Sequence, residues 1–427
     1  MTSGVTSGVT SGVSEDAPPQ PRKAPDGPGP LDGVTVVEVG MWVAGPAVGA
    51  VLADWGADVI KVEPLAGDPM RGLEGIASAG GPALPANPTF DVTNRGKRSV
   101  AVDLKSPEAR AIVEALVDRA DVFVTNLRIP ALERLGLDHE TLLARRPELV
   151  YGLLTAYGTD GPDRDNPGYD IGAYWARSGI AHSLTVPGST PPFQRGAMGD
   201  RTAGAALAGG IAAALFARTR TGKGQLVTES LFRWGVYTLA SDLSMTLQLG
   251  MPIATAQRES MASPTVNCYR AGDDRWFWLI GLERSRHWPP LAEAVGHPEW
   301  LDDERFATSE ARQRNAAELI AELDRIFARA DRDHWFARFA ECGVWHERIN
   351  AVPDLLEDRQ LVPSGALVEV DDNGFAATFV NTPVDFGMPA GPRGLAPDVG
   401  QDTDEVLSEA GLAPDHIARL REAGVVA

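Results

Sequence analysis

The chain has 427 residues, 44% of them hydrophobic and 23% charged, with a formal net charge of −19. That is the composition of a globular protein long enough for two domains, and so acidic a chain is not expected to bind nucleic acid or an anionic membrane through its overall field. Two cysteines, Cys268 and Cys342, and seven scattered histidines offer neither a disulfide framework nor a metal-ligand spacing, which points to the cytoplasm.

The first thirty residues carry TSGV three times, from Thr2 to Val13, followed by a Pro-rich stretch. Such a segment buries too little surface to offset its ordering entropy, so residues 1–30 are expected to be a disordered tail. "VTVVEVG" (34–40) predicts a strand. "AGPAVGAVLADWG" predicts a helix with Pro46 in its first turn and Gly56 past its end, and "ADVIKVE" (57–63) predicts a second strand. The alternation continues with a strand in 98–104, a helix over 106–120 capped by Ser106, a strand in 121–127, a short helix in "HETLLARR" and a strand within 147–158. Three strand–helix–strand passages imply an α/β class with a doubly wound parallel sheet.

Residues 201–218 are mostly small and predict a helix in tight contact with the sheet; "TGKGQLVTESLFRWGVYTLASDL" predicts a short turn and a long apolar helix. A hairpin is expected over 267–282 with its turn at Ala271–Arg275, then several helices, short strands after about 345, and a final helix pair. The expected organisation is a tail (1–30), a large α/β domain (31–224), a smaller α+β domain (225–330) and a C-terminal segment (331–427).

The glycines after the first strand, at 40, 45 and 49, do not make GxGxxG, so Glu63 at the end of the second strand is a poor ribose acid and a nicotinamide site is disfavoured. HExxH, GxSxG and GxxxxGK[ST] do not occur. Asn94, Arg95, Lys97 and Arg98 form the densest basic cluster, which Arg71 and Arg128 could join. It reads either as a solvated loop or as a phosphate-binding edge. In "NPGYDIGAYWARSG" (166–179), Asp170 is either the cap of a helix or a nucleophilic carboxylate partly desolvated by Tyr169, Tyr174 and Trp175.

The ordered series "LDGVTVVEVG…AGP…LADWGADVIKVE", "GDPMRG", "NRGKRSVAVDL", "LERLG", "ELVYGLLTAYGTDGP", "PGYD", "GDRTAG", "TRTGKGQ" and "VGQDTDEVLSEAGL" resembles the family III CoA-transferases, from Leu31 to the C-terminus. The resemblance implies a Rossmann-like large domain, completed by the C-terminal segment, with a smaller domain between, and a homodimer of interlocked rings. It implies that Asp170 is the nucleophile. Trp42, Val43 and Ala44 would meet the CoA nucleotide. Arg71, Asn94, Lys97, Arg98 and Arg128 would surround adenosine, phosphates and pantetheine, and Met198 would border the thioester. Acyl-CoA, coenzyme A and a small carboxylic acid are the implied substrates, with no metal or permanently bound cofactor. The racemase branch has His where this chain has Tyr169, which favours transfer; a racemase would pair Asp170 with His139 or Glu140. A protein that binds CoA esters without turnover is the third reading. No glycine-rich lid occurs between 225 and 280, unlike the formyl-CoA subgroup, and Ile129 departs from the Pro-Gly that follows Arg128 in many relatives.

Overall fold

Six short stretches rich in Val, Ile and Leu form one parallel sheet in a computed structural model that describes residues 20–24, 26–72, 87–251, 255–372 and 375–427. They are β1 (Thr35–Val39), β2 (Asp58–Glu63), β3 (Arg98–Ala101), β4 (Val122–Thr125), β5 (Val150–Thr155) and β6 (Gln225–Ser230). Their spatial order is β3-β2-β1-β4-β5-β6, all pairs parallel. The order reverses between β1 and β4, which opens a crevice at the carboxyl ends of those two strands.

Each face is closed by helices, as continuous apolar strands require. Val37, Val39, Ile60 and Val62 point toward α2 (Ala109–Val117) and the helix pair Thr403–Glu409 and Pro414–Glu422. The expected Ser106 cap lies three residues ahead of α2; its Oγ instead accepts from the Glu108 N–H at 3.2 Å. The C-terminal segment is stitched to β3: the Ser99 N–H donates to Asp402 at 2.7 Å, the Asp103 N–H to the Val425 carbonyl at 2.9 Å, and Val102 bridges Val426.

Helices α1 (Ala44–Asp54) and α3 (Met198–Thr221) pack against each other beside the same sheet. The small residues of α3 serve both contacts. A Cβ on Gly204 would stand 2.8 Å from the Ala47 Cβ of α1, while Ile211 fills the space over Gly152 of β5. The expected helix–sheet contact is therefore only half of what the small residues allow.

Three expectations are corrected. Residues 225–230 form the edge strand β6, not a turn leading into a helix; the strand is only half-buried, so its apolar signal is weak, and a helix follows at Leu231–Thr238. The tail does not extend to residue 30: Arg22–Lys23 pair in parallel with Leu367–Asp372, and Arg22 meets Asp385 at 2.9 Å. That partner lies hundreds of residues away, beyond any local pattern. The TSGV repeats lie outside the described residues.

The third correction concerns the division of the chain. Contacts separate one unit of residues up to 177, 195–235 and 358–427 from a second of 178–194 and 236–357. The second unit runs past 330 because Trp335 and Phe339, from helix Arg332–Cys342, join the core of Tyr269, Phe277 and Phe327. Strand His346–Arg348 also pairs with Trp276–Ile280, which forms the expected hairpin with Val266–Arg270.

Gly204→Val is expected to lower unfolding stability by about 1–3 kcal/mol through overpacking against α1. Gly209→Ala, whose Cβ would meet nothing within 4 Å, is expected to raise it by about 0.5–1 kcal/mol. Urea unfolding of the two variants checks the pair.

Candidate active site

The crevice begins where β1 runs out. Asn126, just past β4, brackets Met41: the Met41 N–H donates to Asn126 Oδ1 at 3.0 Å, and Asn126 Nδ2 donates to the Met41 carbonyl at 2.8 Å. The next residue, Trp42, has φ 67°, a left-handed conformation that a bulky residue seldom adopts. Its N–H donates to Asp68 Oδ1 at 3.1 Å, which holds the turn.

Asp68 belongs to a buried ionic cluster beneath that turn. Lys61 Nζ lies 2.9 Å from Asp68 and 3.3 Å from Glu38, and Lys97 Nζ lies 2.7 Å from the other oxygen of Glu38; all four side chains are 0% exposed. Lys97 also donates to the Pro46 carbonyl at 2.9 Å and to Asn94 at 3.2 Å. Burial pushes the Lys97 amine down to about 8, with the Lys61 charge adding to it and Glu38 opposing. Next to it, Glu63 accepts from Arg71 at 2.6 and 2.8 Å, from Ser99 at 2.6 Å and from the Asp68 N–H at 2.8 Å. Glu63 is thus fully engaged inside the protein, which is inconsistent with a ribose acid.

The expected CoA-binding residues therefore separate into groups. Trp42, half-buried Arg71 and exposed Arg128 stand at the carboxyl edge of the sheet, with Arg71 stacked 4.2 Å over the Phe90 ring. Val43 and Ala44 are buried at the start of α1, and Asn94 and Lys97 are buried within the ionic network. Arg98 lies at the opposite, amino end of β3, where it pairs with Asp58 and Glu409. Exposed Met198 begins α3.

Asp170 is 8% exposed and precedes a π-helix, Ile171–Ala176, a form often found at functional positions. Its own backbone is already helical (φ −59°, ψ −37°), and its side chain makes no capping hydrogen bond, so the cap reading does not describe it. Neighbouring Tyr169 is 62% exposed and meets Trp42 edge-on, with centroids 5.8 Å apart. That contact brings the Asp170 turn to the crevice. Ala197, ahead of α3, packs on the cluster that includes Trp42, Val43 and Met70.

The start of α3 supplies a residue that sequence reading held only as part of a motif, with no role of its own. Asp200, in its first turn, is pushed up to about 7, chiefly by burial and next by the negative charge of Asp170, with Arg201 opposing. Glu38, Lys61 and Asp68 were given no role either. A glutamate and a lysine inside apolar strands were the available signal.

Replacing Lys97 by Met leaves half of a buried ion pair and is expected to lower stability at pH 7 by about 3 kcal/mol. Between pH 8 and 10.5 the wild-type lysine is protonated unfolded but neutral folded. Its contribution to stability therefore rises with pH, and the gap to Lys97→Met should widen across that window in denaturant titrations.

The family model described as CoA-transferase family III matches residues 31–403. A (R)-2-hydroxy-4-methylpentanoate CoA-transferase of Clostridioides difficile is 34% identical over 93% of this chain and 99% of that enzyme. A cinnamoyl-CoA:phenyllactate CoA-transferase of Clostridium sporogenes is 32% identical over 92% of this chain and 96% of that one. Among solved structures, a CAIB/BAIF family protein from Brucella suis superposes with a TM-score of 0.77 at 32% identity, covering 90% of this chain and all of that one.

Proposed function

The chain belongs to CoA-transferase family III, and we propose that it moves CoA from an acyl-CoA donor to a carboxylic acid with Asp170 as the covalent relay. The observation that carries this reading is a buried carboxylate at the crevice, beside the exposed Tyr169–Trp42 contact and at the head of a π-helix.

An Asp170 oxygen attacks the thioester carbonyl, the C–S bond breaks, and CoA leaves as thiolate from a mixed anhydride. The thiolate attacks the aspartyl carbonyl; the C–O bond breaks, which frees the donor acid and leaves Asp170 as a CoA thioester. The acceptor carboxylate attacks that thioester and expels the thiolate, which then attacks the acceptor's own carbonyl. Acyl-CoA product and the Asp170 carboxylate result. No proton is gained or lost, and no energy source is needed because each bond broken is replaced by one of similar transfer potential. Anhydrides survive only where water is kept away, a task that suits the aromatic pair Trp42 and Tyr169. Arg128 and Arg71, at the same edge, are suited to the CoA phosphates, and Met198 with Ile171 offers apolar surface to the acyl chain. Relatives named for 4-methyl-branched and aromatic acids agree with an apolar acyl group.

The racemase reading has less support. The His139 ring packs on Tyr151, near the amino end of β5, whereas the Tyr169–Trp42 contact draws Asp170 to the carboxyl edge of the sheet. The four residue steps from Tyr151 to Thr155 span ~13 Å of strand.

Two copies interlock in this reading, and the reaction belongs to the cytoplasm. Helix Ala240–Leu249 has no buried residue and exposes Leu243, Met245, Leu247 and Leu249, an apolar surface suited to a second copy.

Incubation with cinnamoyl-CoA, 4-methylpentanoyl-CoA or succinyl-CoA and hydroxylamine should leave a hydroxamate on Asp170, read by peptide mass spectrometry. Asp170→Ala should lower transfer on the order of 10⁴-fold or more, the scale of removing a nucleophile. Deuterium entering the α-position of the acyl-CoA, with Asp170 unlabelled, would support racemisation instead. Light scattering should give the mass of two chains, and tagged and untagged dimers should not exchange subunits without unfolding.

A further inference from the structure

Two helix starts meet at the proposed nucleophile. One is the π-helix headed by Asp170; the other is α3, with Asp200 in its first turn. They are held closely together: a Cβ on Gly199 would lie 2.4 Å from the Tyr174 ring of the π-helix, so only glycine permits the approach. Ala197, at φ 60°, turns the chain into α3 and packs with Trp42 and Val43. On the far side, Trp234 Nε1 donates to Thr202 Oγ1 at 2.8 Å. The helix start that carries Asp200 is thus held from three directions.

We infer that Asp200 is a positioning carboxyl that carries the proton of the Asp170–Asp200 pair, so that Asp170 alone presents a negative charge to the substrate. The inference rests on Asp170 being the nucleophile. An acid in the first turn of a 24-residue helix ordinarily ionises readily, because the helix dipole favours negative charge there. Here burial and the Asp170 charge override the dipole. Arg201, on the same helix, opposes the shift and also donates to the Gly196 carbonyl at 3.2 Å. The π-helix contributes Tyr174, residues 43–53 of α1 carry no charge, and Arg233, on the helix that holds Trp234, acts on Glu229.

The consequence is chemical. Every species that reacts at Asp170 after the first step is an anion: thiolate, departing acid, incoming acid. Asp170 is an anhydride or a thioester in those steps and carries no charge, so with Asp200 protonated each anion meets an uncharged site. Once Asp200 ionises, each meets its negative charge. Asp200 takes no proton from the reactants and gives none, in keeping with the proton-neutral transfer.

Asp200→Asn keeps the shape and removes the titration. In the wild type, kcat/KM for the panel donor that labels Asp170 (cinnamoyl-, 4-methylpentanoyl- or succinyl-CoA) should fall by up to tenfold per pH unit above about pH 7; in Asp200→Asn that limb should flatten. A merely structural Asp200 would give a drop that is the same at every pH. A second measurement needs no substrate. An acid whose folded pKa lies above its unfolded 3.8 binds more protons folded than unfolded, so its contribution to stability is lost as pH rises from about 4 to 7. The melting temperature of Asp200→Asn should therefore gain on wild type across that window, and gain less in an Asp170→Asn background. A flat difference between the melting curves overturns the inference. So does an unchanged alkaline limb in Asp200→Asn while hydroxylamine still labels Asp170. If wild-type Asp170 takes no label with any donor of the panel, the nucleophile reading itself falls.

Discussion

A lysine closed to water sets the geometry of the crevice. Glu38 and Lys61 stand opposite each other on adjacent strands, so the sheet register itself brings the charges together. Lys61 then reaches Asp68, and Asp68 holds the left-handed turn at Trp42. Buried ion pairs contribute little net stability, because desolvation offsets most of their attraction. What they supply here is placement: each carboxylate has its oxygens directed by named donors, so the turn above has one arrangement. The cluster also dictates its covering. Gly49 of α1 must lack a side chain, since a Cβ there would fall 1.9 Å from Glu38 Oε2.

Much of the sheet was legible because fully buried parallel strands are written as continuous apolar runs, and five of the six stood out in that way. The edge strand β6 did not, for it is half-buried and runs into an aromatic helix. The basic cluster at 94–98 was visible, but its meaning was not. A cation looks the same in a sequence whether it faces a phosphate or a distant carboxylate. Lys97 meets Glu38 from 59 residues away and Arg98 meets Glu409 from 311. Asp170 stood out through the family resemblance and through its aromatic neighbours. Asp200 did not, because an acid at a helix start is the ordinary, dipole-favoured choice, and only the tertiary approach of a second carboxyl makes it unusual.

The proposed site residues come from separate parts of the chain, all within the large unit. Trp42 follows the first strand, Arg128 the fourth, Asp170 the fifth, and Asp200 opens the long helix that precedes the sixth. This is the arrangement by which doubly wound sheets collect chemistry from several loop ends at one edge. It leaves the loops free to differ among relatives that share the fold at about one residue in three.

The stitching of residues 400–427 onto β3 bears on how the chain is made. The Val102–Val426 bridge and the bonds from Asp103 to Val425 and from Ser99 to Asp402 join positions about three hundred residues apart. During synthesis these contacts cannot form until residues 402–426 have left the ribosome. The inserted unit at 236–357 has its own aromatic core and is complete on emergence well before that. The large unit is thus begun first and closed last, around an inserted unit that is made in between. In that interval the apolar edge around β3 is exposed, which is the period when a chaperone has most to protect.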